Sequence, residues 1–501
     1  MTPTVSDGQI SRLLAAHGLT IDDLSLADLE IVSDCRYLPD AEREVQRIVY
    51  ERAQEAAKAL ELPDGTDEFW ASRPLLQHIM RTAAGWRCSP YAVLAGVLVS
   101  VACAVGPGAT FPGEGSLNSF FLLTADSGGG KGKSQRVAKK VAKVKGWGMR
   151  PLYGTRIPAG TAEGLARALS RDLIEETDDE GNPASDEPQM GPAKAIILDV
   201  PEITALDGKM AARGGDSIKG NLCAIWSAER VGTSTASREN FINVEDDSYR
   251  CCMIAGVQTE NAASLLSDAV TGHVQRMVWL PATAGQGLVD FAGTPRASTI
   301  TPMEIQLPEG IPELGSDEKF DLTVADEIMA EIDRFDIAVQ ERRIKPGLDS
   351  HRYQIQLKLA CLFALADSRT DVTTEDWRLA AHIMAVSVME RQRCQQEIEA
   401  GKLRTIQEKA RLDAARYSAQ RAESERQLAL KIFDVLDEIQ TGSIPEICRR
   451  ITGSQRAQAK SVLEEWRADG TLEVDDSGRA ERLYMGPNAA AKRSRLKEGK
   501  Y

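Results

Sequence analysis

Phe120-Phe121-Leu122-Leu123-Thr124-Ala125-Asp126-Ser127-Gly128-Gly129-Gly130-Lys131-Gly132-Lys133-Ser134 runs from an apolar strand-like segment through a glycine-rich turn into a basic, helix-like stretch. Glycines in such a turn let backbone N–H groups close around a polyphosphate, a lysine meets the outer phosphates and a hydroxyl holds Mg²⁺. The stretch therefore predicts a phosphate-binding loop for ATP and Mg²⁺ made by Ser127, Gly128, Gly129, Gly130 and Gly132. Two registers fit. In the first, Ala125 opens the loop, Gly130-Lys131 is the Gly-Lys pair and Gly132 stands where Ser or Thr is expected, leaving Ser134 to reach the metal. In the second, Ser127 comes first and the loop ends Gly132-Lys133-Ser134. The first is preferred because its loop begins directly at the strand end. A flexible Gly/Lys linker is the plain alternative, disfavoured by the strand before it and the helix after it.

Further pieces of phosphoryl-transfer chemistry follow in order. Ala195-Ile196-Ile197-Leu198-Asp199 is an apolar strand ending in a carboxylate, which makes Asp199 the candidate acid for the Mg²⁺ shell. Glu202 is the candidate for orienting the attacking water. Arg250–Val257 is another apolar strand, and Gln258 at its end is a candidate γ-phosphate sensor. Arg276 stands just before the apolar strand Met277-Val278-Trp279, where ring ATPases place an arginine that reaches the neighbouring subunit's nucleotide. Arg352 opens a Leu/Ala-rich helix and is a candidate sensor within its own chain. Asp199 and Glu202 also read as capping or surface carboxylates, and Arg276 as a surface arginine.

The chain of 501 residues is long enough for several domains. Its longest apolar stretch, around Val93–Val105, falls short of the roughly 20 residues a membrane helix needs. No signal-peptide pattern opens the chain, so no membrane and a cytoplasmic location are expected. Nine cysteines without a C-x-x-C pair and five histidines indicate neither a disulfide framework nor a zinc site. A net charge of −14 argues against a uniformly basic nucleic-acid coat but leaves room for local patches. Arg136, Lys139, Lys140, Lys143 and Lys145 form one, and Lys492, Arg493, Arg495, Lys497 and Lys500 another; each reads equally as a solvated helix face or a frayed end.

Periodicity divides the chain into an N-terminal helical domain (1–118), an α/β nucleotide-binding core (119–283), a connector with a helical lid (284–388), a charged helical spacer (389–426), a three-helix and hairpin module (427–486) and a basic tail (487–501). The acidic, proline-containing segment Asp172–Lys194 reads as an exposed loop within the core. Three helices and a hairpin are the pattern of a winged helix, whose third helix would present Gln455, Arg456, Gln458 and Lys460 to DNA or to a protein partner. The fold class expected is an α/β P-loop NTPase core of AAA+/RecA-like type with an N-terminal helical domain, a helical lid and a C-terminal winged helix.

The order of motifs resembles the phage and mobile-element ATPases grouped as domain of unknown function 3987. The resemblance rests on Pro74–Ser134, Gly160-Thr161-Ala162-Glu163-Gly164-Leu165, the strand ending at Asp199, Ala255–Thr259, Arg276, Leu357-Lys358-Leu359-Ala360 and Thr373-Thr374-Glu375-Asp376-Trp377, covering about residues 70 to 390. It implies a helicase-like ATPase beside the AAA+ and RecA-like ring motors. The lid is similar to that of minichromosome maintenance helicases, with Val372-Thr373-Thr374-Glu375-Asp376 in the Val-Thr-x-x-Asp form. Two positions depart from the commonest patterns: Gly132 after Lys131, and Asp199 without a Glu directly behind it.

The expectation that follows is a Mg²⁺-dependent ATP hydrolase acting as an oligomeric DNA helicase or translocase, a hexamer being one possible ring, in replication of a phage or mobile element. A nucleotide-dependent initiator, loader or defence switch that binds DNA without unwinding it is the second reading. Lys209–Lys219 is a candidate pore loop that reads equally as a surface turn. A metabolic kinase, the third, leaves the lid and the C-terminal module unexplained.

Overall fold

The computed structural model describes residues 7–16, 32, 40–45, 47–48 and 62–499, the last span interrupted at 114, 147–154, 159, 171–172, 175–188, 191–194, 205, 207–214, 234–241, 268–271, 286–287, 313–317, 346, 452 and 479. The chain divides into two compact units, Tyr50–Gly401 and a second made of Met1–Val49 with Lys402–Tyr501.

The larger unit is built around two helices and a sheet. Helix α1 (Pro74–Trp86) and helix α2 (Pro90–Ala104) each begin with proline, whose missing N–H costs nothing at a helix start. Ser89 caps α2 by accepting from Ala92 N at 3.4 Å. Strand β1 (Phe120–Thr124) leads through the glycine loop into α3 (Lys131–Val141); β2 (Thr155–Ile157), β3 (Ala195–Val200), α4 (Gly215–Ser227), β4 (Arg250–Val257) and β5 (Met277–Pro281) follow. The five strands form one sheet in the order β5-β1-β4-β3-β2, and every pairing is parallel. A parallel sheet covered on both faces needs near-continuous apolar strands, and β1, β4 and β5 are buried at every residue. The structure thus has a mixed α/β fold with a parallel five-stranded sheet.

The predicted boundary of an N-terminal domain at residue 118 is corrected. Helix α2 is apolar all round and buried along its length, so it lies within the core that also contains the sheet. An added Cβ on Gly96 would stand 2.5 Å from the Ala138 methyl group, so the close approach of α2 to α3 depends on that glycine. Asp7–Ala16 belongs to the other unit, in a small cluster of Ile10, Leu14, Val32, Ala41, Val45 and Ile48. Residues 49–61 of the predicted N-terminal helical domain lie outside the described residues.

The predicted connector is also more than a linker: Met303–Gln306 pairs in parallel with Ala142–Lys145, directly after α3. Helices α5 (Asp326–Gln340) and α6 (Arg352–Ala366) belong to this unit. Helix α7 (Thr374–Ile439) runs without interruption through the lid, the predicted spacer and the first helix of the predicted C-terminal module. Its residues 390–394 are largely buried, whereas 404–424 lie almost wholly exposed where described.

In the second unit, the end of α7 packs with α8 (Ile444–Arg450), α9 (Arg456–Ala468), the antiparallel strands β6 (Leu472–Asp475) and β7 (Arg482–Met485), and α10 (Ala489–Lys497) around Phe433, Leu463 and Trp466. Within the predicted basic tail, Ala489–Lys497 is therefore a docked helix and not a frayed end. Ala489 and Leu496 are buried, Arg493 pairs with Asp434 at 2.8 Å and with Asp437, and Lys492 pairs with Asp469. No described helix is long and apolar enough to cross a membrane.

Candidate functional site

The glycine loop lies at the carboxyl edge of the sheet, where open α/β sheets place their ligand crevices. Gly128 and Gly130 have φ of 80° and 91°, a left-handed backbone that favours glycine. Gly129 is needed for space, because an added Cβ would lie 2.6 Å from the Ala125 methyl group. Gly130 is the helix N-cap and Lys131 the first residue of α3. Ser134 N–H is bonded to Gly130 O at 2.9 Å, so the amides of Lys131, Gly132 and Lys133 precede the first amide that donates within the helix, an arrangement that suits an anion.

The two lysines diverge. Lys131 folds back over the loop, its Nζ 2.9 Å from Ala125 O and 3.2 Å from a Glu202 carboxylate oxygen. Lys133 lies on the side of Cys88, whose thiol burial pushes up to about 11 against the opposing influence of Lys133 and Ser134. Ser134 is wholly buried, and its Oγ donates to Gly130 O at 3.2 Å. An added Cβ on Gly132 would meet nothing within 4 Å, so the place where a hydroxyl is usual is open.

Asp199 and Glu202 converge on the same edge. Arg156 Nη1 is 3.1 Å from Asp199 Oδ2, and Lys139 Nζ is 3.6 Å from the same oxygen. Glu202 accepts from Gln258 N at 3.1 Å while facing Lys131. Gly256 permits this convergence, since an added Cβ there would lie 2.3 Å from Pro201 O. Lys131, Asp199, Glu202 and Gln258 are thus gathered at one end of three adjacent strands.

Residues not proposed for the site from sequence complete the surroundings. Lys139 lies two turns beyond Lys131 on one helix face, a spacing visible in advance, whereas Arg156 carries no local signal. On the loop's other side, Thr259 Oγ1 donates to Asp126 at 3.1 Å, and Thr124 Oγ1 donates to Glu390 of α7. Arg393 grips Glu390 through Nε and Nη2, at 3.1 and 2.6 Å, and also reaches Glu397. Arg393 stands three residues after Glu390 and four before Glu397, helical pair spacings that sequence alone can suggest.

Arg276 and Arg352 are not brought to the loop. Arg276 precedes Met277, which pairs with Phe120 at the opposite end of β1, about 17 Å of strand away. Its guanidinium lies 5.5 Å from the Trp226 ring and donates to Gly272 O at 2.8 Å, while its Nε is buried without a hydrogen-bond partner among the described residues. Arg352 opens the helix that puts Lys358 against the same end. Lys358 Nζ is 2.9 Å from Asn118 O, 2.7 Å from Trp226 O and 3.5 Å from the Trp226 ring, and burial holds its pKa well below the usual lysine range. The adjacent His351 ring is 5.4 Å from the same indole. A role for Arg352 at its own loop therefore has no geometric basis.

Thr161 caps the helix Ala162–Leu169 by accepting from Gly164 N at 3.1 Å, so the Gly160–Leu165 segment forms a capped helix start. Most of Lys209–Lys219, the candidate pore loop, lies outside the described residues. In the C-terminal unit Gln455 is the N-cap of α9, and Arg456, Gln458 and Lys460 are exposed in its first turns. Lys460 stands 3.8 Å from Glu464, and Arg456 Nε donates to Ile451 O at 3.3 Å. No described cluster of His, Cys, Asp and Glu side chains suits a metal held by protein alone. No protein-family model matches the chain. No curated protein matches it.

Proposed function

We propose that the chain is a P-loop ATPase that hydrolyses MgATP and works as an oligomer on DNA, with a winged helix formed by α8, α9 and the β6–β7 hairpin. The observation that carries this reading is Lys131, first residue of the helix after the glycine loop, facing Glu202 at 3.2 Å across the carboxyl edge of a parallel sheet. Loop amides and Lys131 would hold the phosphates, Asp199 would serve the Mg²⁺ shell, Glu202 would orient water and Gln258 would report the terminal phosphate. Mg²⁺ arriving with its nucleotide needs only one or two carboxylates beside phosphate and water oxygens, which suits Asp199 and leaves Ser134 a helix-start role.

Arg276, at the far end of the sheet, suits action on a neighbouring subunit's nucleotide, the reason an oligomer belongs to the proposal. Exposed Gln458, Arg456 and Lys460 suit base edges and phosphates.

The test is ATPase turnover with and without single-stranded DNA, alongside particle mass, for the wild type, K131A, K133A and R276A. The expected result is DNA-stimulated hydrolysis in a ring-sized particle, and a loss of about 100-fold or more in K131A and R276A. Full activity in K131A with loss in K133A reverses the loop register. A monomer whose hydrolysis ignores DNA removes the motor reading; DNA binding without strand separation favours the initiator or switch.

A further inference from the structure

The side of the loop facing α7 holds three carboxylates, Asp126, Glu390 and Glu397, around one guanidinium, Arg393. Glu390 is an anchored partner: it is 1% exposed, accepts from Thr124 at the end of β1 and binds Arg393 in a two-pronged grip. Glu397 is an exchangeable one, with about a third of its side chain exposed. Burial pushes its carboxyl up; Arg393 opposes this, Asp126 reinforces it and a hydrogen bond with Thr259 lowers it. Thr259 follows Gln258, whose N–H donates to the Glu202 that faces Lys131. A continuous polar path therefore joins Arg393 to the phosphate lysine. An excess of negative charge beside a site for a polyanion repels the terminal phosphate unless a cation turns toward it. Arg393 has the bidentate geometry for a phosphate and, among the described residues, one anchored partner.

We propose that Arg393 is a positioning residue of the nucleotide site: anchored by Glu390, it exchanges its contact with Glu397 for a terminal phosphate oxygen when a nucleoside triphosphate occupies the loop. This rests on the nucleotide-binding reading above and assigns to α7 the role that Arg352 cannot fill from its end of the sheet. A diphosphate lacks the oxygen that draws Arg393 away, so the exchange separates ATP from ADP.

The experiment is equilibrium binding of ADP and of a non-hydrolysable ATP analogue to the full chain, by calorimetry, for the wild type, R393Q, R393K, E397Q and K131A. Losing one charge-assisted hydrogen bond predicts that R393Q weakens the triphosphate analogue about 10- to 100-fold and leaves ADP unchanged. R393K recovers part of the loss, and E397Q, which releases the guanidinium, tightens the triphosphate. A merely structural arginine would not give opposite signs in R393Q and E397Q. Equal weakening of both nucleotides in R393Q, or weaker triphosphate binding in E397Q, overturns the proposal; E397Q decides alone if R393Q does not fold. A wild type that binds neither nucleotide, or a K131A variant that binds both normally, overturns the nucleotide reading itself and this inference with it.

Discussion

Replacing Gly256 by alanine puts one methyl group where β4 passes the turn after β3. The added Cβ would lie 2.3 Å from Pro201 O and 3.3 Å from Lys131 Cδ. Ordinary van der Waals contact begins at 3.4 Å, so the Pro201 carbonyl must retreat by about 1 Å. The turn cannot move alone, because Ile203 N–H is bonded to Gly256 O at 2.7 Å and Glu202 lies between the two constrained residues. A displacement of about 1 Å in a water-orienting carboxylate costs about 100-fold in turnover. Overpacking of this kind costs about 1–3 kcal/mol of stability, a modest fall in melting temperature. Steady-state ATP hydrolysis and thermal melting of G256A, measured together, separate the two effects. G220A is the control, since a methyl group there meets nothing within 4 Å and α4 gains helix propensity. A folded G256A that hydrolyses ATP at the wild-type rate would refute the assignment of Glu202 and Lys131 to a shared site.

Two further expectations concern stability. Asp376, fully buried, accepts from Arg73 and Arg369 at 2.7 Å and from Thr373 N at 2.8 Å, tying α1 to α7. D376A leaves two guanidinium groups short of their carboxylate and should cost about 3–5 kcal/mol in denaturant unfolding; a change below about 1 kcal/mol rejects the network as a structural tie. His382 Nε2 is hydrogen-bonded with Tyr91 Oη at 3.0 Å and its ring stacks on Phe69, and burial lowers its pKa from 6.5 to about 4. The folded imidazole therefore stays neutral while an unfolded one takes a proton, so stability falls as pH drops from about 6.5 to about 4. H382Q should flatten that part of the melting-temperature profile; an unchanged acid slope removes His382 as its source.

Local pattern carried much of this architecture. The apolar run before a glycine loop and the basic helix behind it are legible because strand burial, turn conformation and helix start each leave a signature within a few residues. The same holds for the short helices α8 and α9 and the hairpin near the C-terminus. Boundaries were less legible: Val93–Val105 shows only that it is apolar all round, and whether such a helix forms its own domain or lies against a sheet depends on partners far along the chain. The tail likewise shows charge, whereas its docking depends on Ala489 and Leu496 joining the buried cluster that holds Phe433 and Trp466.

The sequence by itself determined that a glycine loop stands between a buried strand and a helix, with acids and an arginine at later strand ends, because these are properties of residue type and periodicity. Only the tertiary structure decided which of them meet. Strand order brings Lys131, Asp199, Glu202 and Gln258 to one edge, supplies Arg156 and Lys139 to Asp199, and leaves Arg276 and Arg352 at the other end. The physical reason is that a parallel sheet aligns all its carboxyl ends, so distant segments become neighbours by pairing register, which no local spacing encodes.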